Sequence, residues 1–299
     1  MGCGGRHPRA DVITTFSQGC CLATWGSLSW LEFVVGALVS LAIAGAGYWR
    51  QALSASGVLG AFVTGSLIFG LGGWEWGLLL IVFFLSSSAL SFYRAREKAQ
   101  VAEKFSKGHR RDLVQALANA GVATVLAILS RFWSNRLWPI ACAGAFAAVN
   151  ADTWATELGV LAPRLPRLIT SGRAVEVGTS GAISGVGTLA ALGGALFIAL
   201  FGAGAALIDG GGARVAGALL LAATVGGLAG SLVDSLLGAT VQAIYRCEQC
   251  NKETERRVHR CGQATRLVRG WRWMGNDVVN ALASVAGAAV AAGIAWSLL

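Results

Sequence analysis

The chain reads as an all-α, polytopic helical membrane protein of about 7–8 transmembrane helices with small loops between them. Three observations carry this. Hydrophobic residues make up 55% of the chain and charged residues only 13%, about half the charge of a soluble domain. The apolar residues fall in runs that approach the ~20 residues a bilayer requires. Gly supplies 41 of 299 positions, and small residues let helices approach closely in lipid.

Taken in order, residues 1–26 are mixed polar and predict a poorly ordered tail. Residues 27–299 predict a single transmembrane domain. No cleavable signal peptide is expected, because the first apolar run is long enough to span. Met1-Gly2-Cys3 opens like a lipidation signal, but Arg6 stands where Ser or Thr is required. Spans are expected at 28–48, 56–72, 75–92, 112–130, 137–159, 181–208, 215–242 and 278–298. The second is short and Gly-rich, which predicts a tilted or re-entrant segment.

Of 24 Lys and Arg residues, 19 fall in the loops after spans one, three, five and seven. The opposite side holds Arg6, Arg9, Arg131, Arg136 and Arg214. This asymmetry places the odd-numbered loops in the cytoplasm and both termini outside. It also accounts for the net charge of +9 by topology, with anionic lipid or phosphate as the partner and no nucleic acid expected.

Span five ends in Asn150-Ala-Asp-Thr-Trp-Ala-Thr-Glu-Leu-Gly159, which brings Asp152 and Glu157 to membrane depth. Ionised groups there cost several kcal/mol unless a partner, a metal or water compensates them. The alternative is an interfacial helix end whose acids face water. On one helix Asp152, Ala155, Thr156 and Gly159 share a face, while Glu157 falls nearer Asn150 and Thr153. Either the helix breaks, or Glu157 has a second role. Span seven repeats the theme: Gly230, Asp234 and Gly238 align at i, i+4 and i+8, with Ser231 and Ser235 beside them. A packing stripe alone needs no Asp.

Between these acids lies Val175-Glu-Val-Gly178-Thr179-Ser180-Gly181-Ala-Ile-Ser184, just before span six. A Gly/Thr/Ser run that opens a helix offers backbone N–H groups and a positive dipole end to an anion; the alternative is a loop with an ordinary N-cap. There is no Walker A sequence, and Gly185-Val-Gly187 does not continue into a dinucleotide fingerprint.

The loop at 243–275 carries Cys247-x-x-Cys250 and His259-x-Cys261. Three thiols and an imidazole match the donor set of a structural Zn²⁺ site, against the alternative of reduced cysteines in a loop. Four protein ligands leave no open position, so such a metal orders the loop. Seven cysteines otherwise predict no disulfide ladder. Span eight opens with Asn276, Asn280 and Ser284 at i, i+4 and i+8. Gln115 and Asn119 pair in span four, and Ser86-Ser-Ser88 ends span three. These polar stripes either line the same cavity or bond neighbouring helices.

Together these stretches resemble a known integral membrane family, over about residues 30–298. It includes the plant phytyl-phosphate kinase of tocopherol synthesis, animal transmembrane protein 19 and many prokaryotic proteins. The resemblance rests on the 150–159 stretch, Val177-Gly-Thr-Ser-Gly181, Gly230-Ser-Leu-Val-Asp-Ser-Leu-Leu-Gly-Ala-Thr240 and Asn276-Asp-Val-Val-Asn280. More distantly the chain is similar to dolichol kinase, phytol kinase and phosphatidate cytidylyltransferase, whose Asp-x-x-Ala-x-x-x-Gly stretch Asp152, Ala155 and Gly159 fit. The lysine those families carry before the Gly-Ser loop is absent, and Arg167 or Arg173 is the candidate to replace it.

The resemblance implies a nucleoside triphosphate of the CTP type, Mg²⁺, and a polyprenyl or lipid phosphate acceptor. The expectation is therefore a membrane-embedded prenyl-phosphate kinase, a phosphotransferase making an isoprenoid diphosphate. Its catalytic domain is 27–299 and its site faces the cytoplasm, in the plasma membrane of a prokaryote. Asp152 and Asp234 are the expected Mg²⁺ ligands, with Glu157 as a third catalytic acid. Asn150, Thr153, Gly159, Gly178–Gly181, Ser184, Gly230, Ser231, Ser235, Asn276 and Asn280 are the expected nucleotide and phosphate contacts. The rivals are a CTP-dependent lipid-phosphate cytidylyltransferase and a transporter that binds coupling ions at its intramembrane acids.

Overall fold

Among the described residues, every apolar run becomes one helix. The structure is a computed structural model, and it describes residues 30–98, 104 and 110–299. The expected N-terminal tail, with Cys3, Cys20 and Cys21, lies outside these residues. The helices are α1 (Trp30–Trp49), α2 (Ala55–Gly72), α3 (Trp74–Phe92), the short α4 (Ala95–Lys98), α5 (Leu113–Ser130), α6 (Trp138–Gly159), α7 (Gly185–Ile208), α8 (Gly212–Thr240) and α9 (Asn276–Leu298). The second span, expected to be tilted or re-entrant, is one regular helix. Ser54 caps it by accepting the Gly57 N–H at 3.1 Å.

Seven of the eight long helices are long and apolar enough to cross a membrane. The eighth, α6, carries the polar 150–157 stretch, yet it is the most enclosed. Every residue from Ile140 to Ala151 is buried, and α6 packs on α3, α5, α7, α8 and α9. Small residues make this enclosure possible. A Cβ on Gly144 would lie 2.4 Å from the Ala291 Cβ, and one on Gly227 would lie 2.7 Å from both Ala147 and Ala195. The backbones of α6, α7, α8 and α9 thus touch where larger side chains would hold them apart. Many large apolar side chains point outward: Leu38, Leu189 and Ile208 are more than half exposed, as expected of a surface that meets lipid.

The polar joints between helices are few and specific. Asn150, fully buried, donates to the Gly194 carbonyl of α7 at 2.8 Å and accepts from the Ser86 hydroxyl of α3 at 2.9 Å. Bonds of this kind in membrane bundles contribute about 0.6 kcal/mol each. Two small sheets modify the all-α expectation. A hairpin pairs β1 (Arg167–Leu168) with β2 (Ala182–Ile183), and β3 (Ile244–Cys247), β4 (Lys252–Thr254) and β5 (Arg266–Arg269) form an antiparallel sheet of order β4-β3-β5. Periodicity cannot reveal strands of two to four residues, because they are too short to show a pattern.

Candidate active site

The basic loops meet at one end of the bundle, and a cavity of about 620 Å³ opens there. The C-terminal ends of α6 and α8 and the N-terminal ends of α5, α7 and α9 contribute to its lining. Asp152 projects from α6 and Asp234 from α8, and the two lie close enough to interact electrostatically. Asp234 Oδ2 is buried with no hydrogen-bond partner, and so is Asn280 Oδ1 on α9. Buried polar atoms are normally paired, so two such oxygens lining one cavity make it the candidate site.

The helix α6 does not break, which settles the question of its two acids. Asp152 and Glu157 both line the cavity, but Glu157 is already engaged. Its carboxylate accepts from Lys98 Nζ at 2.6 Å and from the Ser91 hydroxyl at 2.6 Å. Glu157 thereby holds a cation at the cavity wall.

The loop between the acids sits where the sequence predicts. Gly178, Thr179, Ser180, Gly181 and Ser184 all line the cavity, and Ser184 caps α7 by accepting the Gly187 N–H at 3.0 Å. Gly181 has φ +80°, and a Cβ there would lie 2.3 Å from the Ala239 nitrogen. Only glycine lets the loop lie so tightly on the end of α8. Ser180 then donates to the Gln242 side-chain oxygen at 2.7 Å. Lys104 secures the other flank, donating to Glu176 at 2.8 Å and to the Val177 carbonyl at 3.0 Å. That salt bridge holds the Glu176 carboxyl below the usual carboxylate range.

Thr153, Gly159, Ser231, Ser235, Asn276 and Asn280 also line the cavity. Four expected contacts do not. Asn150 joins helices, as described. Gly230 is a packing position, since a Cβ there would lie 2.4 Å from the Ala148 Cβ. Arg167 turns back onto its own hairpin, donating to the Gly172 carbonyl at 2.7 Å. Arg173 is exposed on the same hairpin.

Among the described residues, the cations at the cavity are instead Lys98, Arg111 and Arg260. Arg111 is fixed by its backbone, which exchanges hydrogen bonds of 2.9 Å with Ala52 and Ser54. Its guanidinium donates to Ser88 at 3.0 Å and lies 5.7 Å from the Phe83 and Phe84 ring centres. Sequence reasoning also missed Glu255, Gln242 and Ser91. The one available signal was the crowding of seven basic residues between Arg94 and Arg111.

Beside the cavity, Cys247, Cys250, His259 and Cys261 bring their donor atoms within 4.8 Å of one another. The Gln263 backbone N–H, and then the His259 imidazole, hold the Cys261 thiol down at about 6, while its hydrogen bond with Cys261 pushes the Cys250 thiol up to about 11.

The profile of the integral membrane protein family DUF92 matches residues 38–288. The chain belongs to the DUF92 family. Among its relatives, the chain is 33% identical to Protein PGR of Arabidopsis thaliana, over 83% of this chain and 91% of that protein. It is 36% identical to an uncharacterized membrane protein of Methanocaldococcus jannaschii, over 63% of this chain and 74% of that protein. A third, from Synechocystis, is 30% identical over 89% of this chain and 91% of its own length. No solved structure matches this DUF92 chain.

Proposed function

We propose that this DUF92 protein is a prenyl-phosphate kinase, which transfers a phosphoryl group from a nucleoside triphosphate, CTP favoured, to an isoprenoid monophosphate. The observation that carries the reading is the double character of the cavity. Its lining combines Asp152 and Asp234 with Lys98, Arg111 and Arg260, and it also includes the apolar side chains of Ala191 on α7 and Leu228 and Leu232 on α8. A substrate with a phosphate head and a hydrocarbon tail matches both kinds of lining. The cytoplasmic side, where nucleotides are found, is the side this reading assigns to the basic loops.

Mg²⁺ fits the donor set: it takes oxygen ligands, few protein carboxylates and several phosphate oxygens. Asp152 and Asp234 would hold it, and the orphaned Asn280 oxygen lines the same cavity from α9. Bound there, it would neutralise charge on the transferred phosphate. The remaining work falls to this chain's own groups. The acceptor is already a phosphate monoester and needs little activation, so positioning and charge neutralisation supply most of the catalysis. Lys98 and Arg111, each fixed by its own partners, present rigid positive charge to the phosphates. The 178–181 loop and the N-terminus of α7 offer N–H groups to an anion. The apolar lining residues would keep the tail out of water.

Purified protein given CTP, ATP or GTP with a panel of prenyl monophosphates tests the reading directly. A diphosphate product supports the kinase, whereas a CDP-lipid supports the cytidylyltransferase instead. Neither product from any combination sinks both. Transport draws on paired broken helices, and α6 and α8 both run unbroken.

A further inference from the structure

The β3–β5 sheet is too small to hold itself together. Its strands have four, three and four residues, and Tyr245, Cys247, Thr254 and His259 are among its few buried side chains. Modules of this size ordinarily depend on a metal or disulfides. The donor geometry favours a metal. The Cys247 and Cys261 sulfurs lie 3.6 Å apart, and His259 Nδ1 lies 3.1 Å from the Cys261 sulfur. Two thiolates on one tetrahedral zinc at ~2.3 Å stand about 3.8 Å apart. A disulfide would use two of these groups and leave the other thiol and the imidazole unexplained.

The module also reaches into the cavity. Arg260 sits between two of the four donors, His259 and Cys261, and lines the cavity together with Glu255. Glu255 accepts from the Gln242 side-chain amide at 2.8 Å, and Gln242 in turn accepts from Ser180. Glu255 N–H bonds the Lys104 carbonyl at 3.0 Å, and Lys104 holds the flank of the phosphate-facing loop. Arg269 on β5 donates to the Gly238 carbonyl at 3.0 Å.

We propose that zinc bound by Cys247, Cys250, His259 and Cys261 is a positioning element for the cavity, placing Arg260 and Glu255 and bracing the 178–184 loop through Gln242 and Ser180. Zinc occupancy and anion binding in the cavity are then coupled, and the coupling is reciprocal. Its consequence for turnover rests on the kinase reading; the coupling itself does not.

The test uses full-length protein in detergent or nanodiscs, with zinc content measured and hydrogen–deuterium exchange followed peptide by peptide. The protein should carry about one zinc per chain. Chelation should raise exchange in 244–269 and also in 176–184, and zinc restoration should reverse both. Mg²⁺–CTP affinity should fall by at least tenfold on chelation and recover with zinc. Arg260→Ala should keep its zinc and its slow exchange yet lose CTP affinity to a similar degree, which separates positioning from unfolding. Protein without zinc, or chelation that loosens 244–269 and leaves 176–184 unchanged, overturns the inference. If zinc-loaded protein binds no nucleotide, the kinase reading fails, and the exchange of 176–184 alone still decides the coupling.

Discussion

Lys98 and Glu157 form an ion pair of 2.6 Å at the cavity wall, joining α4 to the end of α6, with only 12% and 20% of the two side chains exposed. The pair explains why an acid one turn beyond Asp152 need not bind a metal: its partner is a lysine 59 positions away in the sequence.

The pair predicts matching phenotypes. Glu157→Gln and Lys98→Met should each lower kcat/KM by roughly tenfold, because either change leaves the phosphate without a fixed cation. The double variant should be little worse than either single, as groups acting as a unit are not additive. Steady-state kinetics on all three decides it, and full additivity would show that the two residues act separately.

Asp152→Asn and Asp234→Asn keep the shape of each side chain while removing a charge. Each is expected to reduce turnover by about 10²–10³-fold, with extraction and gel-filtration behaviour unchanged. Near-normal turnover of Asp234→Asn with every prenyl phosphate and nucleotide tried would falsify a shared Mg²⁺ site.

Asn150→Ala should show the opposite pattern. It removes two interhelical hydrogen bonds of about 0.6 kcal/mol each, so thermal stability in detergent should drop while turnover per folded molecule stays within about twofold. A large loss of turnover at unchanged stability would return Asn150 to the chemistry.

Two glycines offer a matched comparison. Gly172 (φ +68°) has open space around it, whereas a Cβ on Gly181 (φ +80°) would strike the backbone of Ala239. Gly172→Ala should cost about 1 kcal/mol of backbone strain alone and leave activity intact. Gly181→Ala should displace the loop and abolish most activity. Equal effects in an assay of both would remove the tight loop-to-helix contact from the account.

The sidedness of the loops is open to cysteine labelling in intact cells and inverted vesicles. Arg167→Cys and Lys252→Cys should react from the cytoplasmic side and Arg214→Cys from outside. Labelling of all three from one side contradicts the eight-helix arrangement.

The spans were legible because apolar length is a local property, and each expected span became a helix. The acids of α6 and α8 and the loop before α7 were legible for a related reason: a polar group inside an apolar run stands out. Lys98, Arg111, Glu255 and Arg260 were not. Each lies in a polar loop where charge is ordinary, and only the tertiary arrangement brings them to one cavity. Arg167 and Arg173 were chosen for closeness in sequence, but their hairpin bends back on itself and carries them elsewhere. Asn150 and Gly230 belong to conspicuous stretches, yet helix geometry turns them toward neighbours. The strands around the cysteines were invisible because three or four residues carry no readable period.

The burial of α6 bears on how the chain is made. Its polar C-terminal half makes it the long helix that lipid would accept least readily on its own, and the helices that enclose it most closely, α7, α8 and α9, emerge from the ribosome after it. Stable residence of α6 in the bilayer therefore waits on helices not yet synthesised. The insertion machinery must retain it until they arrive, so assembly of the cavity is a late, post-insertional event, and a nascent chain truncated soon after Gly159 is an early target for membrane quality control.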